Sequence, residues 1–456
     1  MMHLTVDSIR RCLEGAIPAT MATCAADGTP NVAYLSQVEY VDMQHVALSY
    51  QFFNKTRANV LANPHAQMVL TDPVTAATYR LDIEYLRTET NGALFERMKA
   101  KLAGIASHTG MAGIFKLLGS DVYRVHRIER IGDAIENPQP QRSLFSALRK
   151  SVEQLQQCGD LDALFETTLQ TLADQFDIEH AMILLCDNCA DGLSDATVQR
   201  LYAVASRGYD ESGVGGEIAF GEGVIGVAAQ ARTPIRIGHM TSEYSYGRAM
   251  RNAAQNEPGA EFTDEIPLPG LPESRSQMAV PIMAFSQLLG VLFVESPHDS
   301  RFSYDDEDAL VALTTQLGLS MQQLQQQLQN AASNANAETL APVEPIGTAI
   351  EIRHYAENDS VFIGDDYLIK GVAGAIFWAL LQDFQTHGRR VFSNRQLRLD
   401  TRIRLPELSD NLEARLILLT KRLAERNACV RIEKCGRGQF QLCVSRPVSL
   451  IAADRA

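Results

Sequence analysis

The last hundred residues constrain this chain more than any other segment. A hydrophobic stretch, residues 361–381, is followed by the short polar sequence at 394–398. In the next periodic stretch, 411–427, leucines at positions 412, 416, 419 and 423 form one apolar stripe of a helix. Two strand-like runs around Gly436 and Gly438 close the series. A hairpin and helix, then a second helix and a second strand pair, predict an α+β domain at this end.

This order of elements resembles the winged-helix effector domain of OmpR/PhoB-type response regulators. Residues 411–427 would be the recognition helix and the turn at 436–438 the wing. The resemblance implies that residues 346–450 bind double-stranded DNA. The implied contacts are arginines of the two helices and the wing: Arg395, Arg398, Arg415, Arg422, Arg426 and Arg437. Ile417 and Leu418 depart from the pattern, because polar residues are expected on the face that meets DNA. Two alternatives remain for them: packing on thymine methyl groups, or a protein interface.

Charge is distributed unevenly along the chain. The formal net charge is −14, yet the residues from Pro345 onward comprise 17 basic and 13 acidic ones. That segment therefore carries +4 and the first 344 residues carry −18. A basic segment on an acidic protein suits contact with phosphates, since affinity for a duplex comes largely from counterion release.

Length and linkers divide the chain into three domains. At 456 residues, about three domains are expected. A Pro/Gln segment at 137–141 ends the first domain, 1–136, and a Gln-rich then Ala-rich linker, 329–345, separates the second, 143–328, from the third. No run approaches the roughly 20 apolar residues of a membrane span, and no signal pattern begins the chain. With eight scattered cysteines, this predicts a reduced, cytoplasmic protein.

Residues 1–136 contain consecutive strand-like runs with few helices, which favours a small barrel. The segment 49–59, followed by Asn63-Pro64, resembles the pyridoxamine-phosphate-oxidase-like, FMN-binding split barrel. The resemblance implies that Asn54, Lys55 and Thr56 hold the FMN phosphate, with Arg57 adjacent. Thr56 stands where the family has a second basic residue, and the family's substrate residues have no counterpart. A haem-holding barrel, with His108 or His126 as ligand, and a vacant barrel that serves dimerisation remain alternatives.

Residues 143–328 carry a Gly-x-Gly-x-x-Gly sequence, 221–226, followed by the strand-like run at 233–237. Together with the strand pair at 276–295, it resembles a GAF domain, which implies a small-molecule ligand. The glycines do not indicate a dinucleotide site, because the preceding parallel strand and the later acidic residue are absent. Ser303, Asp306 and Glu307 suit the start of the last helix. Cys186 and Cys189 form the one Cys-x-x-Cys, which is too few ligands for a zinc site.

The sequence thus predicts a multidomain α+β protein: an N-terminal split β-barrel, a central GAF α/β sensor domain and a C-terminal winged helix. The function that follows is a homodimeric one-component transcriptional regulator that responds to a small molecule or to redox state. The alternative is a flavin- or haem-dependent oxidoreductase whose later domains are regulatory or serve assembly. The sequence indicates no catalytic residue and no metal ligand.

Overall fold

The computed structural model describes residues 4–13, 17–35, 37–50, 55–108, 116–134, 143–187, 199–238, 266, 268–331, 347–403, 412–426, 428–436 and 438–453. No helix within these ranges is both long and apolar enough to cross a membrane.

The N-terminal elements build a split-barrel-like antiparallel sheet. They are a 3₁₀ helix (Asp7–Leu13), β1 (Ala19–Cys24), β2 (Pro30–Leu35), β3 (Val38–Asp42), β4 (His45–Tyr50), α1 (Lys55–Ala62), β5 (His65–Thr71), β6 (Thr78–Glu89), α2 (Ala93–His108) and β7 (Gly119–Arg130). The strand order is β2-β1-β5-β6-β7-β4-β3. Side chains alternate as a strand requires: in β5, Ala66, Met68 and Leu70 are buried, and their neighbours are more exposed.

Two N-terminal elements differ from the prediction. The sequence predicts an α-helix over 6–14, whereas Asp7–Leu13 is a 3₁₀ helix, interrupted at Ile9, where φ is −117°. Thr5 and Ser8 hydrogen-bond each other's backbone there, which competes with regular helix formation. The sequence also predicts one strand over 31–38, whereas β2 ends at Leu35 and β3 begins at Val38.

The central elements build a second antiparallel sheet between helices. They are α3 (Leu144–Leu155), α4 (Leu161–Phe176), β8 (His180–Asp187), β9 (Arg200–Arg207), β10 (Glu217–Ala219), α5 (Gly223–Ala231), β11 (Ile235–Ile237), β12 (Ser276–Ala284), β13 (Gln287–Ser296) and α6 (Tyr304–Ala331). The strand order is β10-β9-β8-β13-β12-β11. Ser143 and Asp160 cap α3 and α4 with their side chains. Asp306 and Ser303 bond each other at the start of α6, so these residues act as a helix cap, as predicted.

The Gly-x-Gly-x-x-Gly sequence makes the tight turn from β10 into α5. Gly221 has a φ of +82° and Gly223 a φ of +58°, which favour glycine. A Cβ on Gly226 would lie 2.1 Å from the carbonyl oxygen of Ala219. The three glycines therefore serve local packing.

The C-terminal elements combine two small sheets with three helices. They are β14 (Ile350–Tyr355), β15 (Ser360–Ile363), β16 (Asp366–Ile369), α7 (Gly371–His387), β17 (Val391–Ser393), α8 (Asn394–Leu399), α9 (Leu412–Glu425), β18 (Val430–Gly436), β19 (Gln439–Val444) and β20 (Val448–Ala453). The sheet orders are β16-β15-β14-β20 and β17-β19-β18. Trp378 of α7 stacks on the buried His354 ring at 4.7 Å, and His354 Nε2 lies 2.9 Å from Asp359 Oδ1.

The N-terminal and central units are packed against each other. Helix α2 contacts α5 and β11. Tyr304, at the start of α6, belongs to the core of the N-terminal sheet, and the guanidinium groups of Arg10 and Arg236 lie 4.8 and 4.3 Å from its ring. Buried Lys101 Nζ lies 3.0 Å from Glu39 Oε1 and 5.3 Å from the Tyr304 ring. A largely buried charge network thus joins these two units.

Candidate functional site

The first candidate site is the beginning of α1, where the sequence predicts a phosphate. Lys55 is exposed at the first turn, and Thr56 Oγ1 accepts a hydrogen bond from Asn31 Nδ2 at 3.0 Å. The first turn of α1 contains no acidic residue. A helix N-terminus beside a cation suits an anion, so these two residues fit the phosphate of FMN. Asn54 lies outside the described residues.

Arg57 has a different role from its neighbours. Its guanidinium pairs with Asp121, donates to Thr88 Oγ1 at 3.0 Å and lies 3.7 Å from the centre of the Tyr50 ring. Thr88 Oγ1 also donates to Asp121 Oδ1 at 2.6 Å. Since Arg57 and Asp121 are 14% and 8% exposed, the pair is a buried structural link between α1 and β7. Arg57 is therefore committed to Asp121 and not turned toward a phosphate.

The histidines of the haem alternative and the Cys-x-x-Cys lie in different parts of the fold. His126 Nε2 lies 2.7 Å from Glu84 Oε2 on the exposed face of the sheet. His108 is the last residue of α2, and its side chain is outside the described part. Among the described residues, no group of three or more His, Cys, Asp or Glu side chains could hold a metal ion. Cys186 lies near the end of β8, and Cys189 is outside the described residues.

The second candidate site is α9, the helix predicted to read DNA. Arg415 and Arg422 are only 4% and 5% exposed. The Arg415 guanidinium lies 4.0 Å from the ring of Tyr202 in β9, and Arg422 donates to the backbone oxygen of Leu368 at 3.2 Å. The prediction that these two arginines contact DNA is therefore wrong for this conformation. Periodicity placed them on the flank of the leucine stripe but did not reveal that the central unit covers that flank.

Helix α9 is docked against the central unit along its length. It contacts α4 and β9. Lys421 Nζ lies 2.6 Å from Glu166 Oε1 and 3.5 Å from Asp162 Oδ1 on α4. At the end of α9, Glu425 accepts a hydrogen bond from Ser212 Oγ.

This docking explains why α9 carries apolar residues where DNA was expected. Ile417 and Leu418 are 8% and 4% exposed, and they belong to a core that the central and C-terminal units share. Leu418 approaches the turn at Gly215. The apolar face is thus a contact between domains, in agreement with the second of the two alternatives.

Three of the remaining predicted DNA contacts lie outside the docked face. Arg395 and Arg398 are exposed on α8, and Arg426 is exposed just after α9. Ser393 and Gln396 form a capping box that fixes the start of α8. Arg437 is outside the described residues. The structure therefore brings Arg395 and Arg398 together at one surface and separates them from Arg415 and Arg422.

The docked face borders a partly open cavity of about 310 Å³ between the two units. The beginning of α4 supplies one wall, and α8, α9 and the β18–β19 hairpin supply the rest. The lining residues are Gly159, Asp160, Leu161, Asp162, Asn394, Glu413, Leu416, Ile417, Thr420, Lys421, Ile432, Lys434, Gly436, Gly438, Gln439 and Phe440. Across its edge, Lys434 Nζ lies 3.0 Å from Asp160 Oδ2.

Glu413 is a half-buried carboxyl group of this cavity, and no sequence pattern singles it out. Burial raises the pKa of Glu413 to about 7, although Arg398 and a hydrogen bond from Asn394 act in the opposite direction. Asn394 Nδ2 donates to Glu413 Oε1 at 2.8 Å. The sequence signal is weak, because a glutamate in the first turn of a helix ordinarily interacts with the helix dipole.

Comparison with protein families identifies two of the three units. Residues 5–116 match the family model described as pyridoxamine 5′-phosphate oxidase. Residues 160–321 match the family model described as the GAF domain. The chain therefore contains a pyridoxamine 5′-phosphate oxidase-like N-terminal domain and a GAF domain, as the sequence predicts. No match was found among curated proteins.

Solved structures similar to single domains of the chain include three of bacterial origin. An FMN-binding protein from Syntrophomonas wolfei is 21% identical over 27% of this chain and 84% of its own, with a TM-score of 0.23. The GAF domain of an Acinetobacter phosphoenolpyruvate-protein phosphotransferase is 22% identical over 40% and 94%, with a TM-score of 0.31. Free methionine-R-sulfoxide reductase from Neisseria meningitidis is 19% identical over 40% and 91%, with a TM-score of 0.29.

Proposed function

We propose that this chain is a ligand-responsive transcriptional regulator whose C-terminal domain is a winged helix that binds double-stranded DNA. The observation that carries the proposal is the element order of residues 350–453. A small sheet, helix α7, strand β17, helices α8 and α9 and the β18–β19 hairpin follow one another, and β17 pairs with that hairpin. In DNA-binding domains of this kind, the recognition helix lies in the major groove. Here α9 would be that helix, with the β18–β19 hairpin beside it.

In this proposal, the docked arrangement is the form that does not bind DNA. Helix α9 would have to leave Asp162, Glu166 and Tyr202 of the GAF domain before the face that is now buried could reach a duplex. The exposed Arg395 and Arg398 would then contact phosphates. A signal that favours the undocked arrangement would increase DNA binding.

The test weakens docking from the GAF side, which leaves the C-terminal domain unchanged. The double variant Asp162→Lys, Glu166→Lys places two lysines against Lys421. We expect about fivefold tighter binding of duplexes selected from a random pool, because roughly 1 kcal/mol of docking energy is lost. Fluorescence anisotropy at two salt concentrations measures this, and Arg395→Ala with Arg398→Ala should lower both the affinity and its salt dependence.

The matched control is Asp174→Lys, Glu179→Lys, which makes the same change in charge at exposed positions of the GAF domain outside the interface. It should leave DNA affinity close to that of the wild type. If neither the wild type nor the undocked variant enriches any duplex, the chain is not a DNA-binding regulator.

We propose further that the N-terminal domain binds FMN, with Lys55 and the first turn of α1 at its phosphate. Lys55 is exposed and Thr56 offers a hydroxyl group, while Arg57 supports α1 through Asp121. The match to the oxidase family model supports a flavin here. FMN would supply a redox-active or light-absorbing group, and this chain's residues would bind and orient it.

An absorption spectrum of the purified full-length protein tests the flavin proposal. We expect a flavin spectrum that is lost in Lys55→Glu and kept in Lys99→Glu, since Lys99 is an exposed lysine on α2. A Soret band would indicate that the protein binds haem and not FMN. A colourless protein would contradict both the flavin and the haem proposals. Turnover of NAD(P)H by a flavin-loaded protein would favour the alternative, an oxidoreductase that the later domains regulate.

A further inference from the structure

The cavity between the GAF domain and α9 has the size of a small-molecule site. Its volume of about 310 Å³ lies at the lower end of the range for ligand pockets, roughly 300–1,000 Å³. Leu161 of α4 forms part of one wall. Leu416 and Ile417 of α9, with Ile432 and Phe440 of the hairpin, form the others. These walls suit a compact apolar or aromatic group.

The two lysines at the edge of the cavity are already neutralised. Lys434 pairs with Asp160 at 3.0 Å, and Lys421 pairs with Glu166 at 2.6 Å. An anionic ligand would have to displace these carboxylates. The cavity edge therefore gives little attraction to an anion.

Glu413 is the lining carboxyl group without an ion pair among the described residues, and the charges of Arg398 and Lys434 act on it only from farther away. Within the described ranges, no lysine or arginine forms an ion pair with Glu413, and its side chain has one hydrogen-bond partner, the neutral amide of Asn394. A half-buried carboxylate beside apolar walls is stabilised by a cation that brings its own hydrogen-bond donors. A ligand with an ammonium group and an apolar body satisfies both the carboxylate and the walls.

We infer that this interdomain cavity binds a small primary amine with an aromatic or aliphatic body, its ammonium group on Glu413 and its body between α9 and the β18–β19 hairpin. Both domains contribute to the walls, so the amine binds best when the domains are docked. The inference concerns binding alone and stands whether or not the chain binds DNA.

Calorimetric titration of the full-length protein with benzylamine tests the site. We expect saturable binding of one benzylamine per chain, and an affinity at least tenfold lower in Glu413→Gln. Glu433→Gln is the matched control, because Glu433 is a half-buried glutamate of β18 that does not line the cavity. Neither benzyl alcohol nor benzoate should compete, since neither brings an ammonium group.

A second variant addresses the shape of the cavity without changing its charge. Thr420→Phe places a ring inside the cavity and leaves Glu413 in place, so it should also abolish benzylamine binding. Circular dichroism establishes that each variant is folded. Absence of saturable binding to the wild type, or equal affinities in the wild type, Glu413→Gln and Thr420→Phe, overturns the inference.

Discussion

Arg57 is a buried cation in the first turn of α1, and Asp121 of β7 supplies its counter-charge. A basic residue in the first turn of a helix looks like an anion ligand. Only the three-dimensional structure places Asp121, 64 positions later, against it. Lys55, two residues before Arg57, is exposed, so its ammonium group is accessible to a phosphate.

Asp121→Asn should destabilise the N-terminal domain by about 3 kcal/mol, because Arg57 would remain buried without its counter-charge. The midpoint of urea unfolding, followed by circular dichroism, measures the loss. Glu129→Gln removes the partner of Arg80 in a pair whose members are 39% and 37% exposed, and it should cost less than about 1 kcal/mol. Equal effects of the two substitutions would contradict a structural role for Arg57.

Glu413 should make stability depend on pH. Its pKa is raised from 4.5 to about 7 by burial, so the folded protein binds this proton more tightly than the unfolded chain does. The stabilising contribution is present below pH 4.5 and is lost as the pH rises to about 7. Compared with Glu413→Gln, the wild type should lose roughly 2 kcal/mol between pH 5 and pH 8, measured by urea unfolding. A difference between the two proteins that is constant with pH would be inconsistent with this.

At the scale of elements, periodicity and caps predicted most of the helices and strands. The helix cap at Ser303 and Asp306, at the start of α6, follows from local chemistry, and this prediction is confirmed. The burial of α9 was not predicted, because packing against a domain distant in sequence has little effect on the local residue pattern. The one local sign is that Ile417 and Leu418, two apolar residues, lie on a face expected to be polar.

Strand β2 offers a surface on which a second copy of the chain could pack. It is at the edge of the N-terminal sheet, and Val32 and Tyr34, on one face of it, are 69% and 80% exposed. We propose that the chain forms a homodimer through this face. Tyr34→Glu should therefore shift the protein toward monomer in sedimentation velocity, because it places a charge in an apolar contact. Met43→Glu, at another exposed apolar position, is the control and should leave the mass unchanged.

In the whole molecule, the GAF domain packs against both the N-terminal sheet and the C-terminal domain. The Tyr304 network holds it to the N-terminal sheet, and the α9 face holds it to the C-terminal domain. A ligand that binds only the docked form must oppose whatever requires undocking, since coupling between two sites is reciprocal.

If the chain binds DNA as proposed, benzylamine should lower its DNA affinity. At concentrations 100 times its Kd, the amine stabilises the docked form by about 2.7 kcal/mol, which corresponds to roughly a hundredfold weaker DNA binding at most. Anisotropy titrations with and without benzylamine measure the change. In the double variant Asp162→Lys, Glu166→Lys, benzylamine should lower the DNA affinity less than it does in the wild type. An equal decrease in the two proteins, or an increase in DNA affinity, would show that the cavity and DNA binding are not coupled in this way.

Trp378 is the single tryptophan of the chain, and it lies in the C-terminal domain against His354. All intrinsic tryptophan emission therefore reports on this one domain, without labels or engineered fluorophores. The stacked imidazole of His354, held by Asp359, makes that emission sensitive to the local order of α7 and β14. The molecule thus carries its own optical probe at the end where its output is expected.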